Sequence, residues 1–178
     1  VLICIIIYPL SGHWIWNSEG WLAKLGMKDF AGSAAIHAVG GFAAFTIAKI
    51  LGARKGRFNS DGSANVFAPS NIPLASAGAF ILWFGWFAFN AGSTLDASNT
   101  ALASIAINTM LAGASGGTSA LLITLKKFGK ADPSMTINGV LSGLVAVTAG
   151  CAFVSQWSAI MIGAISGLIV IYATLFVD

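Results

Sequence analysis

Charged residues are scarce in this sequence. Only 8% of its 178 residues are Asp, Glu, Lys or Arg, and 57% are hydrophobic, whereas an ordinary soluble domain has about 25% charged residues. This composition excludes a protein whose whole surface faces water. The nine Lys/Arg and six Asp/Glu residues also gather in short clusters. The apolar stretches between them are about 20 residues long, the length of a bilayer span, which predicts an integral membrane protein that crosses the bilayer several times.

Histidine and cysteine are also rare, with two of each, and the motifs built on them are missing. The sequence has no CxxC pair, no metal-spaced His/Cys/carboxylate cluster and no Walker glycine–lysine pair. Its one GxSxG match, at residues 113–117, lies inside an apolar run and not at a strand-to-helix turn. We therefore expect no metal, no cofactor and no hydrolase or phosphate site. The basic residues form no continuous stripe, so the net charge of +3 does not indicate nucleic acid binding. Cys4 and Cys151 lie far apart in apolar runs, which predicts two buried, unpaired thiols.

The sequence begins and ends inside apolar runs, with no initiator methionine and no charged segment before the first run. A secretory signal peptide would carry that charged segment. We therefore expect residues 1–178 to form a single transmembrane domain that is truncated at both ends and belongs to a longer protein.

The predicted fold class is all-α, an integral membrane helix bundle. Only helices and closed barrels satisfy backbone hydrogen bonds in hydrocarbon. These runs are too long for barrel strands and lack the alternation of apolar and polar residues that barrel strands show. About five full spans plus part of one are expected from the run lengths. The predicted spans cover residues 1–14, 30–51, 69–92, 99–125, 135–153 and 158–176.

Basic residues predict the orientation of these spans. The connections 52–68 and 126–134 carry six Lys or Arg, whereas the alternate connections carry only Lys24 and Lys28. Because short cytoplasmic loops are enriched in Lys and Arg, the two basic connections should face the cytoplasm. Residues 14–29, 93–98 and 154–157 should then lie outside.

Three small-xxx-small patterns occur within the spans, at residues 113–117, 139–143 and 163–167. Such patterns mark faces on which helix backbones approach closely. The alternative is that glycine is simply frequent in membrane helices, and the sequence leaves both explanations open.

His37 is the foremost polar exception inside an apolar run, about two turns into the second span. An ionisable side chain at that depth is costly and so suggests a transport pathway. The alternative is a neutral imidazole that hydrogen-bonds a carbonyl of a neighbouring helix.

Asp29 precedes the same span at the position of a helix cap, where a carboxylate accepts hydrogen bonds from the free amides of the first turn. Eight residues separate Asp29 from His37. This spacing places them about 80° apart around the helix and about 12 Å apart along it, so they can border one pore but cannot touch.

One stripe of the third span carries Leu82, Trp86, Phe89 and Ser93, at helical spacing. An aromatic stripe is usually part of a core. Here, however, the span ends in polar groups rather than in a Lys or Arg anchor. Together with Trp16 on the outer connection, this end offers a small cation aromatic faces and a hydroxyl oxygen without a fixed negative charge.

These residues resemble the ammonium transporter family (the Amt, Mep and Rh proteins), and the Amt branch most closely. The resemblance covers essentially the whole chain. Its most specific segments are HWIW at 13–16, DFAGSAAIH at 29–37 and WFGWFAFNAGS at 83–93, with weaker support from GLVAVTAGC at 143–151. The family usually has a second glycine after Asp-Phe-Ala-Gly, where this chain has Ser33, a small residue that should be tolerated.

The resemblance implies a role for each candidate residue. Trp16 and Ser93 would recruit ammonium at the outer mouth. Phe89 would be one ring of a phenylalanine gate, with Trp86 and Leu82 lining the pore below it. His37 would be the first of two pore histidines, and Asp29 would support the outer vestibule.

The resemblance also implies about eleven spans in the whole protein, of which this chain corresponds to the end of the fourth through the ninth. The second pore histidine and the other gating phenylalanine would then lie elsewhere. The implied function is ammonium transport, without enzymatic activity. The implied assembly is a homotrimer in the lipid of a plasma or bacterial inner membrane, and the resemblance allows a cytosolic PII-type regulator as a partner. An ammonium sensor with an attached signalling domain is the alternative. A second alternative is a membrane enzyme that uses His37 and Asp29 as acid and base. The sequence disfavours it, because no third catalytic group occurs at that depth.

Overall fold

The computed structural model describes residues 1–177, and its regular elements are helices. A π-helical segment, Ile3–Ile7, runs into α1, Tyr8–Trp16, and the short α2, Trp21–Lys24, follows. A second π-helical segment, Ser33–Ala38, continues as α3, Val39–Leu51. The remaining helices are α4, Ile72–Gly92; α5, Leu102–Phe128; α6, Pro133–Thr148; and α7, Gln156–Val177. The predicted all-α fold class is confirmed.

The ends of these helices follow from local chemistry. Helices α4 and α6 each begin after a capping side chain and have a proline in the first turn. Asn71 Oδ1 accepts from the Leu74 amide at 2.8 Å, and Asp132 Oδ1 accepts from the Met135 amide at 3.0 Å. Helix α5 ends at Gly129, whose φ of 71° belongs to the left-handed region that glycine adopts without strain.

Four helical stretches are long and apolar enough to cross a bilayer: Ser33–Leu51, Ile72–Gly92, Leu102–Phe128 and Gln156–Val177. Their positions agree with four of the predicted spans. The exception is α6, which has 16 residues and ends at Thr148 rather than near residue 153 as predicted. Its last turn is interrupted by a side chain from another segment, described below.

Glycines bring α5, α6 and α7 into close contact. A Cβ atom added at Gly143 of α6 or at Gly163 of α7 would clash with the backbone of Ala112 on α5. One added at Gly167 would clash with the backbone of Gly116. The small-residue patterns therefore mark real packing faces, since a side chain in these places would force the helices apart.

Polar side chains also tie this group of helices together. The Ser119 hydroxyl of α5 donates to the Ala164 carbonyl of α7 at 2.9 Å. Asn108 Nδ2 donates to the carbonyls of Cys151 and Val154, at 2.9 and 3.0 Å, in the turn after α6. Such bonds satisfy polar groups that hydrocarbon cannot.

Both cysteines are free, as predicted, but only Cys151 is buried. The prediction of a buried Cys4 is wrong. Cys4 lies in Ile3–Ile7, a segment with no buried residue among its five, and its side chain is exposed because no described element packs over it.

The connections predicted to lie on the outer side meet at one end of the bundle. Phe30 packs edge-on against Phe153, with ring centroids 5.9 Å apart. Trp16 and Ser93, from the connections 14–29 and 93–98, line one cavity together with Phe30. The candidate site lies at this end.

Candidate functional site

The Asp29 carboxylate organises the start of the helix that carries His37. Its Oδ1 accepts from the amides of Gly32 and Ser33, both at 2.9 Å, and its Oδ2 accepts from two further amides at 2.8 and 2.9 Å. Asp29 is 5% exposed. Four backbone donors of a helix start, which would otherwise lack partners, are thus satisfied by one side chain. The capping predicted from the sequence is therefore present, and the capping residue, Asp29, lies four residues before the helical segment begins at Ser33.

Gly32 makes the turn into this helix. Its φ of 117° is unfavourable for other residues, and an added Cβ would press against the side chain of Ile36. The Gly32 carbonyl accepts from the amides of both Ile36 and His37, each at 3.0 Å. This shared acceptor widens the turn into a π-helix, a feature frequent at functional sites.

Three aromatic rings meet at the middle of the site. The His37 ring stacks on Trp86, with centroids 5.0 Å apart and planes 18° apart, and lies 5.5 Å from the Phe89 ring. The centroids of Trp86 and Phe89 are 5.9 Å apart. His37 Nε2 is buried and has no hydrogen-bond partner within residues 1–177. Among the described residues, this nitrogen makes no bond to a carbonyl of a neighbouring helix.

Trp86 is held in place by a threonine that the sequence reading did not single out. Its Nε1 donates to Thr148 Oγ1 at 3.0 Å, and the Thr148 hydroxyl donates to the Leu144 carbonyl at 2.6 Å. Thr148 is fully buried. The indole therefore has a fixed orientation, and the face it presents to His37 is set by the end of α6.

Two cavities lie on either side of Phe89. The outer one has a volume of about 390 Å³ and is lined by Trp16, Phe30, Ala31, Ile36, Phe89, Ser93 and Leu95. The inner one has a volume of about 300 Å³ and is lined by His37, Ile81, Leu82, Gly85, Trp86 and Phe89. Phe89 belongs to both, so its ring stands between an outer and an inner compartment.

The outer cavity presents a hydrogen-bond acceptor and aromatic faces. The Ser93 hydroxyl donates to the Phe89 carbonyl at 2.7 Å, which uses its hydrogen and leaves its lone pairs free to accept. Trp16 Nε1 donates to the Asp29 carbonyl at 2.6 Å, while the Trp16 side chain remains 43% exposed. A small cation that donates hydrogen bonds fits these groups, because it meets an oxygen acceptor and the face of an indole.

No charged side chain is among the residues that line the outer cavity in the described part of the chain. Two carboxylates adjoin lining residues along the chain: the buried Asp29, which precedes Phe30, and the exposed Asp96, which follows Leu95. Hydrogen bonds from the hydroxyl and the amide of Ser98 lower the pKa of the Asp96 carboxyl. This exposed carboxylate is therefore ionised at neutral pH and adds negative charge at the outer end of the molecule.

The structure brings all seven candidate residues of the sequence analysis into one region. Trp16 and Ser93 line the outer cavity, and Leu82 and Trp86 line the inner one with His37. Phe89 lies between the cavities, and Asp29 supports the helix start. Of the residues that sequence reasoning missed, Thr148 gave the weak signal of a lone hydroxyl near the end of an apolar run.

The sequence matches the profile of the Ammonium Transporter Family over residues 1–178. The chain belongs to the ammonium transporter family. As a member of this family, it is part of a multi-pass integral membrane protein, as predicted.

Relatives of this ammonium transporter chain come from distant organisms. Ammonium transporter Amt2 of Archaeoglobus fulgidus is 46% identical over 177 residues, a match that covers 94% of this chain and 38% of the relative. A putative ammonium transporter of Synechocystis is 46% identical over 181 residues, covering 97% of this chain and 40% of the relative. The chain thus spans about two fifths of the length of these curated relatives.

Solved structures of the ammonium transporter family share the fold. One, named Sensor Amt Protein, superposes with a TM-score of 0.91 at 41% identity, covering 96% of this chain and 44% of that one. Mep2 of Saccharomyces cerevisiae superposes with a TM-score of 0.83 at 34% identity, covering 94% and 38%. The resemblance that the sequence motifs indicated is confirmed.

Proposed function

We propose that the protein to which this chain belongs transports ammonium across a membrane, and that the compartments on either side of Phe89 are part of its pore. The observation that carries this proposal is the arrangement around that ring. An acceptor oxygen and an exposed indole lie on its outer side, and a histidine with an unpaired nitrogen lies on its inner side. The names of the relatives support the same substrate.

The two compartments suit two forms of the substrate. Ammonium ion would be held outside Phe89 by Ser93 Oγ and the face of Trp16, which are contacts a cation can use. The inner compartment has an almost wholly apolar lining, and a cation that loses its water there favours its neutral form. Ammonia would then pass beside His37, and the free Nε2 of His37 would take part in moving the released proton.

The assembly would be a homotrimer with one pore in each subunit, in a plasma or bacterial inner membrane, as the family resemblance implies. The exposed apolar faces of α4 and α7 suit contact with lipid or with further helices. Such faces are expected where other spans of the same protein or neighbouring subunits complete the bundle.

The experiment replaces His37 in the full-length protein and measures ammonium flux into liposomes. His37→Ala should leave assembly intact, because alanine fits a helix and removes a costly polar group, yet it should abolish or sharply alter flux. His37→Glu keeps a titratable group at the same depth and should retain more transport. The matched control is His13→Ala, since His13 is exposed at the end of α1. Wild-type flux and selectivity in His37→Ala would refute the mechanism.

A sensor is the second candidate, because a structure that superposes closely on this chain is named Sensor Amt Protein. The same cavities would bind ammonium and report their occupancy to a signalling domain. Saturable ammonium binding by the wild-type protein in the same liposomes, without any flux, would favour the sensor.

A further inference from the structure

The hydroxyl group of Ser33 is inserted into the last turn of another helix. Ser33 Oγ donates to the Val145 carbonyl at 2.6 Å and accepts from the Ala149 amide at 2.7 Å. In a continued helix the Ala149 amide would bond the Val145 carbonyl directly, since these groups are four residues apart. The serine hydroxyl therefore replaces one backbone hydrogen bond of the helix, and such an insertion is a recognised cause of helix distortion.

Neighbouring backbone groups extend this junction. The Phe30 amide donates to the Ala149 carbonyl at 2.9 Å, and the Ala31 amide donates to the Thr148 carbonyl at 3.2 Å. The Ser33 amide is itself bound to the Asp29 carboxylate. The start of the His37 helix is thus fastened to the outer end of α6 by four hydrogen bonds, two of which go through one hydroxyl.

This junction connects with the aromatic cluster of the pore by two routes. Ser33 and His37 belong to the same π-helical segment, Ser33–Ala38. On the other side, Thr148 lies in the turn that Ser33 enters, and its Oγ1 accepts from Trp86 Nε1, while Trp86 stacks on His37. The contacts form a closed loop, so a shift of Ser33 relative to α6 must displace His37 relative to Trp86.

We propose that Ser33 is a positioning residue of the pore, which sets the register of His37 against Trp86 by inserting its hydroxyl into the end of α6. This inference rests on the proposed transport function. A chain with Ala at position 33 can close the bond between Ala149 and Val145 within α6, so this variant should fold.

The test uses Ser33→Ala in the full-length protein, reconstituted in liposomes for ammonium flux. This variant should lower maximal flux by about 3- to 30-fold, as expected when one contact of a coupled network is lost. Its melting temperature in detergent should stay close to that of the wild type. The matched control is Ser142→Ala, because the Ser142 hydroxyl also joins two helices, donating to the Ser166 carbonyl at 3.1 Å, but does so away from the cavities. Its flux should be that of the wild type.

A double-mutant cycle separates positioning from general support. If Ser33 acts through the end of α6, then Ser33→Ala combined with Thr148→Val should reduce flux by little more than the larger single effect. Ser142→Ala combined with Thr148→Val should show only the effect of Thr148→Val.

Three outcomes would overturn the proposal while leaving the transport function standing: wild-type flux in Ser33→Ala, multiplicative effects of Ser33→Ala and Thr148→Val, or failure of Ser33→Ala to assemble. Absence of flux in the wild-type protein would instead refute the transport function, and the positioning role with it.

Discussion

Replacing Asp29 by asparagine tests whether the whole carboxylate is needed to hold the His37 helix. Each of its oxygens accepts two backbone amides. Asparagine has the same shape, but it offers one accepting oxygen and an NH₂ group that cannot accept from amides. Two of the four hydrogen bonds are therefore lost, and the NH₂ group is set against two donors.

The expected loss is large for so small a change. A hydrogen bond to a charged group contributes about 1.5–3 kcal/mol, so losing two of them should cost about 3–6 kcal/mol. Asp29 is 5% exposed, so water cannot readily replace the missing acceptors. Ammonium flux should fall as well, because the first turn of the helix that positions His37 loses its anchor.

The measurement is thermal unfolding of the full-length protein in detergent, with flux in liposomes as the second readout. Asp132→Asn is the matched control. Asp132 caps α6 through a single side-chain bond, from the Met135 amide, and asparagine caps helices about as well as aspartate. Its melting temperature should hardly change. Equal melting temperatures for Asp29→Asn and Asp132→Asn would show that the four-bond account of Asp29 is wrong.

Three further experiments test other parts of the molecule. Trp16→Leu and Ser93→Ala should raise the half-saturating ammonium concentration more than they lower maximal flux, since each contact should contribute about 0.5–2 kcal/mol to ammonium binding. Unchanged half-saturating concentrations in flux assays would remove both residues from the recruitment site. Gly143→Ala should lower the melting temperature by the equivalent of about 1–3 kcal/mol, since its Cβ would overpack a backbone contact, whereas Gly78→Ala, with nothing within 4 Å of the new atom, should not. A cysteine at Ser60, in the first basic connection, should react with an impermeant maleimide only from the cytoplasmic side of the membrane; labelling from outside would reverse the predicted orientation.

The features that the sequence predicted well depend on local pattern. The cap at Asp29 and the aromatic stripe on α4 follow from spacing along a single helix, so both could be predicted from neighbouring residues. The close packing of α5, α6 and α7 was one of two explanations for glycines at intervals of four residues, and the structure decides in its favour.

The features that it did not predict depend on contacts between distant residues. Ser33 and Val145 are 112 positions apart, and no local pattern signals that a hydroxyl of one segment ends the helix of another. The end of α6 was misplaced for this reason, and the part played by Thr148 was missed. Cys4 was assigned to the interior because apolar neighbours along the chain do not show which helices pack over a segment.

The shortness of α6 has an electrical consequence. Sixteen helical residues span roughly 24 Å, against about 30 Å for the hydrocarbon core. If its first turn is level with the cytoplasmic surface, its outer end lies about 6 Å below the opposite surface, close to a fifth of the way across. Ala31, which lines the outer cavity, is bonded to that end through the Thr148 carbonyl.

A cation resting on the floor of the outer cavity has then already crossed part of the transmembrane voltage. At 100 mV, negative inside, a fifth of the field is worth about 0.5 kcal/mol per charge, or roughly a twofold gain in occupancy. Under the proposed orientation and function, a polarised membrane thus helps a cation to fill the outer cavity.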